Sequence, residues 1–286
     1  MILPQWPAPK NVKALATERE IPSSTNPQSV SHSIPLGVSV PPYDCFNLGD
    51  HVGDDPVHVS ANRQQLLQNS GVLTQSGQSG GCNEIRWLQQ VHGIDCLDAA
   101  LIKDSSQADA CFTQQQKLAC AIMTADCLPV LFCDLNGTQV AAAHAGWKGL
   151  AAGVLEQTLH RFIQNGIAAK EVIAWLGPAI TQSAFEVGPE VQSAFLNFNN
   201  GEKWADEMCF VSGKGDRLQA NLYRLARLQL EHLGVAGVYG GDDELCTFSA
   251  RNTTHINDLA ESNPHRFFSY RRQAITGRQA SLIWLT

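Results

Sequence analysis

Asn136-Gly137, set between Val130-Leu131-Phe132-Cys133 and Gln139-Val140-Ala141-Ala142-Ala143, decides the fold of this 286-residue chain. The Asn-Gly pair accepts the positive φ values of a tight hairpin turn, and the apolar runs on either side suit paired strands. Upstream, Ala119 to Met123 predicts another short strand. Downstream of Gly146 the apolar period lengthens: Trp147, Leu150, Ala151, Val154, Leu155, Thr158, Leu159 and Phe162 share one helical face, and Asn165-Gly166 ends it.

Further out, Asp55 to Gln68 predicts a helix, and Arg86 to Val91 alternates like a strand that stops at His92-Gly93. Ala108 to Phe112, Val172 to Leu176, Gly237 to Tyr239, Phe267 to Tyr270 and Ala280 to Leu285 predict more strands, and Leu218 to Leu233 a second amphipathic helix ended by Gly234. Strands and helices mixed without regular βαβ alternation predict an α+β fold, mixed β-sheets flanked by helices, in a single domain over residues 1–286. Residues 20–44 are rich in Pro and Ser and predict a long loop. Ser70 to Gly81, rich in Gly, Ser and Gln, predicts a surface turn region.

With 44% hydrophobic and 16% charged residues the chain has the composition of a soluble globular protein. A formal net charge of −7 argues against a general nucleic-acid binder, which needs clustered Lys and Arg to neutralise phosphates. The apolar runs are too short for a bilayer, which takes ~20 residues, so no membrane partner is expected. No basic segment followed by an apolar one opens the chain, and the expected location is the cytoplasm. The nine cysteines are scattered without a CxxC pair, so a disulfide framework is not expected and most are read as buried apolar residues. Nothing in the sequence sets an oligomeric state.

Function-bearing residues collect where strands end. Gln90-Val91-His92-Gly93, Thr124-Ala125-Asp126-Cys127-Leu128-Pro129 and Ala143-His144-Ala145-Gly146-Trp147-Lys148-Gly149 place two imidazoles and one thiol at the ends of apolar runs. If His92, Cys127 and His144 converge, they form a His2Cys site whose vacant fourth position suits a catalytic zinc better than a structural one. Each alone has a plainer reading, as a buried cysteine or a hydrogen-bonded core histidine. Asp126 reads as a proton shuttle, as a partner of a metal ligand, or as a simple turn cap. Arg63 and Lys148 are the cations nearest this set, Lys148 opening a helix in the manner of an anion site, although both also read as surface ion pairs. His51 is the candidate for a fourth ligand, whereas His58 falls on a polar helix face. Arg271-Arg272 and Thr276-Gly277-Arg278-Gln279 read as an ordinary solvated hairpin.

Taken together, Asn47-Leu48-Gly49, His51-Val52-Gly53-Asp54, Asn62-Arg63, the three strand-end segments, Gly177-Pro178-Ala179-Ile180, Phe185-Glu186-Val187-Gly188 and Phe268-Ser269-Tyr270-Arg271-Arg272 resemble the laccase-domain family. Its members were named polyphenol oxidases and later purine nucleoside phosphorylases. The resemblance runs from Trp6-Pro7 to the C-terminus. It implies a single α+β domain with zinc at His92, Cys127 and His144, acting with phosphate on adenosine, inosine, guanosine and methylthioadenosine and also deaminating adenosine. By matching position, Asn47 and Arg63 would line the substrate or phosphate side. The same resemblance implies two alternatives, a Cys-His hydrolase acting on cell-wall precursors (peptidoglycan editing) and a copper-dependent polyphenol oxidase. The family's short Thr-Thr-Arg-x-Gly-Gly-x-Ser segment is split here, Thr17-Glu18-Arg19 being separated from Gly37-Val38-Ser39 by a Pro- and Ser-rich insertion that bears on the pocket rim.

Residue chemistry orders these options. Multicopper oxidation needs His-x-His pairs for a trinuclear cluster, and none of the nine histidines forms one, which ranks zinc ahead of copper. Phosphorolysis needs phosphate delivered to an anomeric carbon with oxocarbenium character, for which Arg63 is the expected clamp. Zinc-activated water would serve deamination at the purine C6. A metal-free route would use Cys127 as nucleophile with His144 or His92 as base. A site closed by His51 would be non-enzymatic, a zinc-storage or interaction module.

Overall fold

A computed structural model describes residues 1–20, 37–74, 80–103, 106–196, 207–251 and 265–286. Its centre is the predicted hairpin: β6 (Leu128–Asp134) and β7 (Val140–Ala145) pair antiparallel, Cys133 against Val140 and Leu128 against Ala145. The Asp134 carboxylate ties the turn by accepting from the backbone N–H groups of Asn136, Thr138 and Gln139. These strands sit inside a six-stranded sheet of order β12-β8-β6-β7-β4-β3, where β3 is Cys96–Asp98, β4 Ala110–Thr113, β8 Val172–Leu176 and β12 Gly237–Gly240.

A four-stranded sheet, β1-β13-β5-β2, faces it, made of β1 (Val12–Ala16), β2 (Glu84–Arg86), β5 (Leu118–Thr124) and β13 (Gln279–Leu285). The two-residue period of the strands sorts side chains into layers. Cys120 and Ile122 of β5 meet Leu131 and Cys133 of β6, with Trp175 and Ile283, between the sheets. On the outer face of the smaller sheet, Ala119, Ala121 and Trp284 pack with Leu66 of α1 (Pro56–Leu73). On the outer face of the larger sheet, Val130 and Phe132 pack with helices α2 (Trp147–Ala152), α3 (Val154–Gln164) and α5 (Leu222–His232). Strands buried on both faces explain why β5, β6 and β7 read as unbroken apolar runs. A three-stranded sheet of β9 (Glu186–Val187), β10 (Phe210–Ser212) and β11 (Leu218–Ala220), with α4 (Pro189–Leu196), completes a single-domain α+β fold. Among the described residues no helix is long and apolar enough to cross a membrane.

Several expected boundaries move. The helix expected to run unbroken from Trp147 is two helices, because Gly153 at φ +99° is both the end of α2 and the start of α3. The expected helix Leu218–Leu233 begins as β11, and only after the Asn221 side chain caps Arg224 N–H does α5 start. The helix expected at Asp55–Gln68 has Asp55 as its N-cap and extends to Leu73, into the expected turn region 70–81; positions 75–79 lie outside the described residues. Phe267–Tyr270 is not a strand. The Gln279 side chain binds both the N–H and the C=O of Phe268 and so occupies the place a neighbouring strand would take. Of the loop expected at 20–44, positions 21–36 lie outside the described residues; its flanks meet, since Arg19 C=O accepts from Phe46 N–H and Cys45 C=O accepts from Ser39 N–H.

Candidate metal centre and cavity

The chain passes from one sheet to the other between β5 and β6, and the turn that makes this crossing carries Asp126 and Cys127. The β6/β7 register places Cys127 just beyond the last pair, opposite Gly146. A Cβ at Gly146 would stand 2.9 Å from Cys127 Sγ and 3.0 Å from His92 Cδ2, so only glycine leaves room for both ligands. The β4/β7 register, which pairs Ala110 with Ala143, places Asp109 beside His144.

Asp109 organises two of the three ligands. Its fully buried carboxylate accepts the backbone N–H of Val91, His92 and Gly93 and, at 2.7 Å, Nδ1 of His144. His92 lies in the left-handed region at φ +60°, where a side chain is strained, and these three hydrogen bonds hold it there. With Nδ1 of His144 bound to Asp109, its Nε2 is the ring nitrogen left to face Cys127 or to ligate a metal ion. Cys127 Sγ is 3.8 Å from His92 Nε2, and the ligand atoms of the triad all lie within 4.8 Å of one another. Zinc bound tetrahedrally by nitrogen and sulfur would separate such atoms by about 3.5 Å, so the donor set and spacing fit one metal ion.

The electrostatics are those of coupled ligands. Burial opposes ionisation of Cys127, but the imidazoles of His144 and His92 overcome it and bring the thiol down to about 6. Burial likewise opposes the charged form of His144, yet the Cys127 thiolate and Asp109 push it up to about 9. Burial would raise the Asp109 carboxyl, and hydrogen bonds from His144 and the 91–93 backbone hold it below its usual range.

A cavity of about 460 Å³ opens above the triad. Its apolar wall includes Trp147, Phe185 and Leu222, and its rim carries Tyr270, Arg271 and Arg278. The sequence-selected residues divide between this cavity and its surroundings. Lys148 is exposed at the rim, its Nζ 5.7 Å from the Trp147 ring. His51 also lines the cavity but stands outside the ligand cluster. Asp126, at φ +94°, accepts from Thr247 Oγ1 at 2.6 Å through Oδ1 and from Arg271 N–H at 2.6 Å through Oδ2. Asn47 and Arg63 are not in the cavity lining. Asn47 is fully buried, and Arg63 lies behind Met123, paired with Asp50 at 3.2 Å and stacked on Trp87 at 4.3 Å in an adjoining groove. Arg271 and Arg272 do not form a solvated hairpin. Arg271 stacks on Phe185 and donates to Glu186 C=O, while Arg272 binds the carbonyls of Thr247, Phe248 and Phe267.

The family described as multi-copper polyphenol oxidoreductase laccase matches this chain over residues 31–286. The chain belongs to this family. It is 43% identical to purine nucleoside phosphorylase YfiH of Escherichia coli K12 over the whole chain and 98% of that protein. It is also 43% identical to purine nucleoside phosphorylase PA4543 of Pseudomonas aeruginosa, over 99% of this chain and 98% of that one. Among solved structures, Neisseria meningitidis protein NMB0706 superimposes with a TM-score of 0.79 at 41% identity, covering 99% of this chain and 98% of that one. The family's multi-copper description fits poorly with a single cluster of three ligands among the described residues.

Asp109 was not singled out from the sequence. Its signal was an acidic residue inside an apolar strand, Ala108-Asp109-Ala110-Cys111, a placement that demands a buried partner. Phe185 and Tyr270 stood in segments that carry the family resemblance without being assigned a role, and Arg278 was read as part of a solvated hairpin.

Proposed function

We propose that this chain is a purine nucleoside phosphorylase that holds one zinc ion between His92, Cys127 and His144, and that the same cleft deaminates adenosine. The observation that carries this reading is the His2Cys cluster at the floor of a single cavity of about 460 Å³ with an arginine-bearing rim. That volume is in the range of small-molecule sites, about 300–1,000 Å³. The relatives named purine nucleoside phosphorylase, aligned over the full chain, support the reaction class.

When bound, zinc supplies Lewis-acid polarisation of an oxygen ligand. Asp109 holds the proton on Nδ1 of His144 and keeps Nε2 available. Phe185, Trp147 and Leu222 shield the cleft from water and offer apolar surface to a purine, with the exposed Tyr270 ring at the mouth. Asp126 acts here as a positioning residue, joining Thr247 and the Arg271 backbone beside Cys127. Lys148 adds positive charge on the rim.

Purified zinc-loaded protein is incubated with adenosine, with and without phosphate, and adenine, ribose 1-phosphate, inosine and hypoxanthine are measured. Adenine with ribose 1-phosphate is expected only with phosphate, inosine with or without it, hypoxanthine only with phosphate, and all are lost in Cys127→Ala. No turnover, or turnover unchanged in that variant, overturns the reading. The 3.8 Å Cys127–His92 contact also suits a thiol nucleophile acting on cell-wall precursors. Amide hydrolysis that survives chelation would favour that second reading.

A further inference from the structure

Phosphate has to be held near the sugar by positive charge, and the cations around the cavity differ in what they have left to offer. Arg63 is neutralised by Asp50, donates through Nε to Leu48 C=O and is screened from the cavity by Met123. Lys148 is exposed at the rim. Arg271 donates through Nη1 to Glu186 C=O, has its guanidinium over Phe185, 5.3 Å from the centroid, and is exposed to solvent. Arg278 differs from Lys148 and Arg271 in being partly buried. One Nη is anchored on the carbonyls of Thr276 and Gly277 at 3.1 and 3.0 Å, and its Nε and other Nη have no hydrogen-bond partner among the described residues. It lines the cavity and forms no ion pair with a described residue.

Arg278 lines the same cavity as His92, Cys127 and His144. Burial lowers its pKa, and the negative charges of Cys127 and then Asp126 act against this. A partly buried guanidinium with unused donors beside a metal site is built to receive a tetrahedral oxyanion.

Its position is set from behind by Asn47. Asn47 Oδ1 accepts from the backbone N–H of Arg278 at 2.8 Å and of Gly49 at 2.9 Å, and its Nδ2 donates to Asp54 at 2.8 Å and to Gly49 C=O at 3.1 Å. All its hydrogen-bonding capacity is therefore used within the protein, and no atom of it is left for a ligand.

We propose that Arg278 binds the phosphate cosubstrate, with Asn47 as the positioning residue that holds the Arg278 backbone in place. This rests on the phosphorylase reading above, and it moves the clamp from Arg63, where residue order alone puts it, to the opposite end of the sequence.

The test compares zinc-loaded wild type with Arg278→Met, Arg278→Lys, Arg63→Met and Asn47→Ala. Steady-state KM is measured for phosphate and for adenosine, and ³¹P line broadening of inorganic phosphate measures binding independently of turnover. Loss of a charge-assisted contact corresponds to a change of about 10- to 100-fold. Arg278→Met is therefore expected to raise the phosphate KM by at least about tenfold and the adenosine KM by less than about threefold, with part of the loss restored in Arg278→Lys. Asn47→Ala is expected to raise the phosphate KM by a smaller factor, again without a matching change for adenosine. A phosphate KM within about twofold of wild type in Arg278→Met, or a large rise in Arg63→Met instead, overturns the proposal. If wild type binds phosphate and Arg278→Met does not, yet no nucleoside is phosphorolysed, the clamp stands and the phosphorylase reading falls. If phosphorolysis occurs with an unchanged phosphate KM in Arg278→Met, the reading stands and the clamp falls.

Discussion

The two walls of the cavity are built by opposite means. The metal-ligand wall stands on strand ends: Cys127 and His144 flank the β6/β7 ladder, and His92 is fixed by backbone N–H groups converging on Asp109. The arginine wall, residues 265–278, has no strand of its own. Besides backbone bonds from Arg19 and Leu48 and to Ala250, it is held by side chains reaching in, Gln279 to the Phe268 backbone, Asp126 to Arg271 N–H and Asn47 to Arg278 N–H. A ladder positions Cys127 and His144 through many shared backbone bonds, whereas the loop combines a few backbone bonds with single side-chain contacts. The first wall is thus suited to holding an ion at fixed distances, and the second to presenting charge to a substrate.

The largest effect that would sharpen this contrast is expected at Asp109. Asp109→Asn removes the charge that orients His144 and tethers residues 91–93, and metal affinity is expected to fall by about 10- to 100-fold. Competitive chelator titration measures this. An unchanged affinity would mean that the strands alone orient the ligands. Gly146→Ala comes next: a methyl group 2.9 Å from Cys127 Sγ overpacks the ligand cluster, with an expected cost of about 1–3 kcal/mol in urea denaturation and weakened metal binding in the same titration.

Asn47→Ala probes the other wall. It strands the buried N–H groups of Gly49 and Arg278, and a loss of about 1–2 kcal/mol is expected by urea denaturation while metal affinity stays as in wild type. A parallel loss of metal would show that the walls are not independent.

The smallest effect concerns His265, whose folded pKa is lowered to about 4, first by burial and then by the charges of Arg272, Arg251 and Arg19. The unfolded side chain titrates near ~6.5, so between that pH and about 4 the unfolded chain binds the extra proton. Stability contributed at His265 is therefore present above pH ~6.5 and is lost as the pH falls through about 4. Thermal unfolding followed from pH 7 to 4 is expected to show a shallower decline in His265→Gln than in wild type, and identical slopes would remove His265 from the account.

The sequence was most legible where period and burial agree. β6, β7, β8 and β13 emerge within a residue or two of their apolar runs, because a strand buried on both faces cannot hide in composition. It was least legible where side chains replace backbone partners, as at Phe267–Tyr270, or where short polar strands such as β9 and β11 owe their pairing to one another. The break between α2 and α3 belongs to this class too, since a lone glycine inside a helical apolar face gives no sign of the φ it will adopt.

The metal ligands divide in the same way. That a thiol and an imidazole stand at the ends of apolar strands was in the sequence for Cys127 and His144, because chain-local hydrophobicity determines where a strand stops; the strand expected over Arg86–Val91 is instead Glu84–Arg86, and His92 lies beyond it. That His92, Cys127 and His144 share one ion-sized space was decided only by tertiary structure, through the β4/β7 register that places Asp109 beside His144 and the β6/β7 register that puts Gly146 opposite Cys127. Register is a property of two strands together, and no single stretch of residues encodes it. The same reason separates Arg63 from Arg278. Sequence neighbours can nominate a cation, but tertiary contacts withdraw Arg63 to Asp50 and Leu48 and leave the partly buried Arg278 lining the cavity with unused donors.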